Sequence, residues 1–206
     1  YFPKGSRYNL PGLIDVLLSV QQQWSKDKDK IKASGDRILE ELSSYFNQTG
    51  ESSPLSEDML INCYEQLSHS FDKYYGGFGA APKFPLPHKL MFLLRYYDFY
   101  GESKALEMVE ETLKSMYKGG IFDHLAGGFS RYSVDTKWLV PHFEKMLYDN
   151  ALLTIAYLET YQITKEPLYK KVAEKTIDYV LRVLTSPEGG FYCAEDADTE
   201  GEEGKY

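Results

Sequence analysis

The sequence predicts an all-α fold built from helical hairpins stacked in two concentric layers. Three observations predict it. Segments that are apolar nearly all round alternate with segments that carry one apolar stripe. Short polar connections alternate with long glycine-rich ones. The phrase Gly-Gly-Phe returns three times, at 76–78, 127–129 and 189–191, a weak repeat of about 50 to 60 residues. A helix apolar on every side belongs inside, and a striped one belongs at the surface. The order therefore reads outer, inner, outer, inner, outer, as in stacked αα-hairpins.

Each element follows from its own residues. Residues 11–24 open with Pro and Gly and carry Leu13, Val16, Leu17 and Val20 at helical spacing. Residues 27–47 place Ile38, Leu42, Tyr45 and Phe46 on one face. The polar run TGESSPLS then breaks the chain. A third helix opens at Ser56, with Glu57 and Asp58 at its positive end and Leu60, Cys63, Leu67, Phe71 and Tyr74 behind them. Residues 88–100 and 141–163 are the two all-round apolar segments and are expected as inner helices. Residues 103–117 and 167–184 are striped, by Leu106, Val109, Leu113 and Met116 in the first and by Leu168, Val172, Ile177, Val180 and Leu184 in the second. The connections 101–102 and 164–166 are short. The long ones, 75–87, 119–140 and the tail from 189, should share one end of the array.

Composition bounds the function. A chain of 206 residues with 43% hydrophobic and 26% charged residues is an ordinary globular one. A net charge of -8 without a basic run argues against nucleic acid as partner. No apolar run is long enough to span a membrane, and no signal peptide is legible. Cys63 and Cys193 are the only cysteines, so a reducing, cytoplasmic setting fits better than a disulfide framework. Eighteen Tyr and eleven Phe suit an aromatic helical core or, alternatively, ring stacking in a cleft. Tyr1 opens in mid-phrase and Lys205-Tyr206 follows an acidic loop, so both ends read as those of a piece of something longer.

Chemistry concentrates in residues 119–150, GGIFDHLAGGFSRYSVDTKWLVPHFEKMLYDN. If residue 141 starts a helix, His142 and Asp149 are seven apart on one face, with Lys145 nearby and Glu144 nearly opposite. A His and a carboxylate suit proton transfer near neutral pH, although a structural hydrogen-bonded pair accounts for them equally well. Asp123 and His124 in the preceding loop could add a second acid/base pair, or could simply cap a turn. Phe129, Arg131, Tyr132, Trp138 and Glu144 are candidates to contact a polar, ring-shaped ligand such as a sugar. Glu195 and Asp196 follow the third Gly-Gly-Phe. Paired carboxylates there would fit glycoside chemistry. No compact His/Cys set suggests zinc, and the acidic run from Asp196 is a poor calcium loop, so neither metal nor cofactor is expected.

The phrases GGFGAAPKFP, GGIFDHLAGGFSRYSVDTKWLVPHFEKMLYDNALL and SPEGGFYCAEDADTEGEEGKY resemble the spermatogenesis-associated protein 20-like family. That resemblance implies a thioredoxin-like domain followed by an (α/α)6 barrel similar to six-hairpin glycosidases and N-acylglucosamine 2-epimerases. Residues 1–24 would be the C-terminal tail of the thioredoxin-like domain, 25–55 a connecting helix and linker, and 56–206 the N-terminal part of the barrel, about half of it. The open barrel edge could pair with a second copy. Two functions remain open: acid/base chemistry on a sugar, epimerase-like or hydrolase-like, or a non-catalytic ligand- or partner-binding barrel.

Overall fold

The computed structural model describes residues 2–7, 9–47 and 54–204. Both chain termini and most of the polar break before Ser56 lie outside them. The chain divides into two compact units, Tyr1–Leu55 and Ser56–Tyr206.

The first unit is a helical pair, α1 (Leu13–Lys26) and α2 (Lys28–Phe46). Asp27 separates them, and its side chain caps α2 by accepting from the Lys30 amide. Neither helix buries a residue: Leu13, Leu17, Trp24, Leu42 and Phe46 are all exposed. No strand forms among the described residues before α1, only a bridge between Arg7 and Leu10.

The second unit holds α3 (Glu57–Ser70), α4 (Pro87–Tyr100), α5 (Ser103–Lys118), α6 (Leu147–Thr164) and α7 (Pro167–Val183). The expected Ser56 cap of α3 has the right backbone, but its side chain makes no capping hydrogen bond. Pro87 and Pro167 start α4 and α7 at a position where no amide donor is needed. Gly101 stops α4 in the left-handed conformation at φ 69°. Helix α4 packs on α5 and α6, and α6 on α7. Their shared core is Leu90, Leu93, Leu113, Met116, Leu153, Tyr157, Tyr169 and Val172. Tyr157 is fully buried and donates its hydroxyl to the Leu113 carbonyl at 2.7 Å, tying inner α6 to outer α5. No helix among the described residues is long and apolar enough to cross a membrane.

Two sequence expectations need correction. Helix α6 begins at Leu147, not near 141. Residues 141–146 are extended and belong to two short ladders, β1 (Tyr132–Ser133) with β2 (Pro141–His142) and β3 (Lys145–Met146) with β4 (Ala194–Glu195); a third ladder pairs β5 (Asp198–Thr199) with β6 (Glu202–Glu203). Helix α6 is also not covered on every side. Tyr148, Ala151, Ile155, Leu158 and Gln162 form an exposed stripe at helical spacing.

Candidate functional site at the inner-helix mouth

Two of the long loops are built alike. Phe71-Asp72 faces Gly76-Gly77-Phe78, and Phe122-Asp123 faces Gly127-Gly128-Phe129, each pair closed by a Phe–Phe bridge. In the first, Asp72 Oδ1 accepts from the amides of Tyr74 and Tyr75, and Oδ2 accepts from Lys83 Nζ at 2.6 Å. In the second, Asp123 Oδ1 accepts from the amides of Leu125 and Ala126, and Oδ2 accepts from Lys145 Nζ at 2.8 Å. Both lysines are almost wholly buried and lie over aromatic rings, Lys83 over Trp138 and Lys145 over Tyr179. Burial pushes both aspartate pKa values up, but the lysine and the amide donors outweigh it and hold them below the usual range. Asp123 is therefore the staple of a turn, with both carboxylate oxygens engaged. Its twin Asp72 performs the same task one repeat earlier.

Phe129 and Trp138 are likewise not open to a ligand. Both are fully buried. Phe129 stacks near Tyr157, and its backbone amide and carbonyl are both held by the Asn150 side chain. Trp138 donates its indole N–H to the Tyr75 carbonyl at 2.9 Å.

His142 lies on β2, so it shares no helix face with Asp149. Its ring stacks on Tyr132 at 4.7 Å, and Tyr132 packs in turn on Phe84. Its Nδ1 is 2.7 Å from Glu203 Oε1, and its Nε2 is 3.9 Å from Glu144 Oε2. Glu144 accepts from Arg131 at 2.8 Å. Arg131 and Glu144 both act on Asp149 in the first turn of α6, so the link from His142 to Asp149 runs through this ion pair. Asp149 is 8% exposed. Burial raises its pKa to about 6, against the pull of Arg131 and Tyr148. Its Oδ2 and the Nε of Arg131 are both buried without a hydrogen-bond partner among the described residues. Such orphaned groups are uncommon in folded proteins and call for an explanation.

The remaining candidates stand apart. His124 is exposed and packs edge-on against Tyr117 and Phe122. Glu195 Oε2 accepts from the Tyr179 hydroxyl at 2.6 Å and is 3.9 Å from Lys145. Asp196 is exposed and lines a cleft of about 220 Å³ with Phe143, Asp198 and Gly204. The candidates thus fall into two groups. His142, Glu144, Arg131, Tyr132 and Asp149 gather at the N-terminus of α6. Asp123, His124 and Glu195 gather around Lys145. Sequence reasoning missed Tyr148, Lys83 and Asn150. Aligning the two Phe-Asp…Gly-Gly-Phe phrases would have exposed Asp123 as a structural residue.

The fold has clear relatives among solved structures. A cellobiose 2-epimerase from Bacillus thermoamylovorans superposes with a TM-score of 0.58 at 16% identity, over 68% of this chain and 40% of that one. A family 76 glycoside hydrolase from a bovine Bacteroides thetaiotaomicron strain gives 0.57 at 14% identity, over 73% and 34%. At such identities the likeness is one of fold, and the hairpins of this chain are part of a six-hairpin (α/α)6 toroid. No family model matches the chain. Its sequence is 41% identical to human spermatogenesis-associated protein 20 over the whole chain, and 36% identical to an uncharacterised Caenorhabditis elegans protein over 97% of it. Over its whole length the chain is thus similar in sequence to the spermatogenesis-associated protein 20-like family. It spans 27% of the human relative and 28% of the nematode one.

Proposed function

We propose that this chain supplies part of the mouth of a carbohydrate-active (α/α)6 domain, in which Asp149 exchanges a proton with a sugar. The observation that carries this is a pair of orphans: a buried oxygen of Asp149 in the first turn of an inner helix and a buried guanidinium N–H of Arg131, which acts on that carboxyl, each without a hydrogen-bond partner among the described residues. A sugar hydroxyl both donates and accepts, so one would satisfy both. A carboxyl with a pKa of about 6 can take or give a proton near neutrality, whereas an ordinary Asp is a poor acid there. Arg131 would carry charge that develops on substrate oxygen. The Tyr132–His142 stack would present ring edges and polar tips to the sugar, and Glu144 and Glu203 would hold that stack in place.

Proton abstraction beside a carbonyl, as an epimerase performs, suits this group better than glycoside hydrolysis. The Glu195–Asp196 pair needed for the latter has its first carboxylate engaged by Tyr179. We read residues 1–24 as the tail of a thioredoxin-like domain, which would cover the apolar residues that α1 exposes. The test is to incubate the full-length protein with a panel of aldoses in D₂O. Deuterium appearing at the carbon next to the carbonyl supports the reading. No exchange with any aldose, together with saturable sugar binding, would favour a non-catalytic sugar-binding barrel.

A further inference from the structure

The extended segment 141–146 has two sides. His142 and Glu144 turn to the inner-helix mouth. Pro141, Phe143 and Lys145 line a separate cavity of about 520 Å³ with Phe122, His124 and Ser130. Leu125 and Ala126 complete its rim. The cavity sits near the outer layer, since His124 packs on Tyr117 of α5. Its size falls within the range of small-molecule sites.

Its chemistry is narrow. The one cation, Lys145, is neutralised by Asp123 at 2.8 Å and also donates to the Gly127 carbonyl. A charged ligand would therefore find no free counter-charge there. Ser130 is 4% exposed, and its hydroxyl has no partner among the described residues, although its backbone amide is bonded to Ile121. Its hydroxyl oxygen is not among the sealed, unpartnered polar atoms of the described residues, so it stays within reach of a ligand in the cavity. The walls are otherwise aromatic or aliphatic. A sugar would leave most of its hydroxyls unpaired against Phe122, Pro141 and Leu125, which is costly.

We propose that this cavity is a second binding site, for a small neutral molecule built on a planar ring with a single hydroxyl, a phenol-type ligand. The ring lies among Phe122, His124 and Phe143, and its hydroxyl pairs with Ser130 Oγ. The site is separate from the mouth at Asp149 and needs no reaction there.

The probe is 4-methylphenol, titrated into the full-length protein by calorimetry, with toluene as the control lacking the hydroxyl. Wild-type protein is expected to bind 4-methylphenol saturably. Ser130→Ala should weaken that binding about 3- to 10-fold, the effect of one neutral hydrogen bond, while leaving toluene unchanged. Leu125→Trp places a large ring on a fully exposed rim residue and should abolish binding without affecting folding. Asp149→Asn should bind 4-methylphenol as wild type does, which separates this site from the sugar site. Absence of saturable binding overturns the proposal. So does equal affinity for 4-methylphenol in Ser130→Ala, or retained binding in Leu125→Trp.

Discussion

Asp149 and Asp123 show how environment divides one residue type into two roles. Asp149 is desolvated, with one oxygen unpaired among the described residues, and its pKa rises to about 6. Asp123 is partly buried too, but Lys145 and two amides hold its pKa down. The linked effects on stability have opposite signs. Between pH 4 and 6 the folded chain holds a proton on Asp149 that the unfolded chain has released, so stability falls as pH rises through that window. The cost is absent below the unfolded value and complete above about pH 6, where it reaches no more than about 3 kcal/mol. Asp149→Asn should therefore melt no lower than wild type at pH 7 and should lose this slope, as followed by thermal denaturation from pH 4 to 8. Asp123 and Asp72 contribute stability above the usual carboxylate pKa, and that contribution is lost as pH falls through their lowered folded values. Lys83→Met, which strands Asp72, should cost about 2–4 kcal/mol in urea denaturation at pH 7. The sequence marked Asp149 and Asp123 as equals, because composition and spacing carry no information on which carboxyl has a cation beside it.

Helices α3 to α7 were legible because each is either striped at helical spacing or apolar nearly all round, and because stop signals such as Gly101 bound them. The start of α6 was not. Pro141 looks like a first-turn proline, and the residues after it are as apolar as a buried helix. Pairing with β1 and β4 overrides that local pattern and keeps 141–146 extended. The alternation of Pro141, Phe143 and Lys145 with His142, Glu144 and Met146 was the only written trace of it. The repeated glycines serve tight turns, and their geometry explains why glycine stands there. Gly77 sits at φ 81°, and a Cβ there would fall 2.5 Å from the Trp138 ring. Gly77→Ala should cost about 3 kcal/mol through combined strain and overpacking, checked by denaturant unfolding.

At the scale of the molecule, the exposed stripe of α6 is the open question that the fold itself poses. Ile155 and Leu158 are 40% and 44% exposed, although the helix is composed as an inner one. The solved toroids are longer, with this chain covering 40% or less of the two compared above. We expect further helices of the longer relatives to cover this stripe. Leu158→Glu should then leave the melting temperature of the isolated 206-residue chain nearly unchanged, yet lower that of a full-length relative by an amount corresponding to about 2 kcal/mol or more. The ring architecture was legible from alternation alone. The sites were not, because they depend on which loop groups face the mouth and which face the outer cavity.

The most direct test of the central claim is proton exchange by Asp149 itself. The full-length protein and its Asp149→Asn variant should be compared in D₂O for deuterium incorporation into an accepted aldose, with the melting temperature recorded on the same samples. A loss of about 10²- to 10⁴-fold in exchange, in a variant that melts no lower than wild type, is the predicted result. Undiminished exchange in the folded Asp149→Asn protein would contradict it.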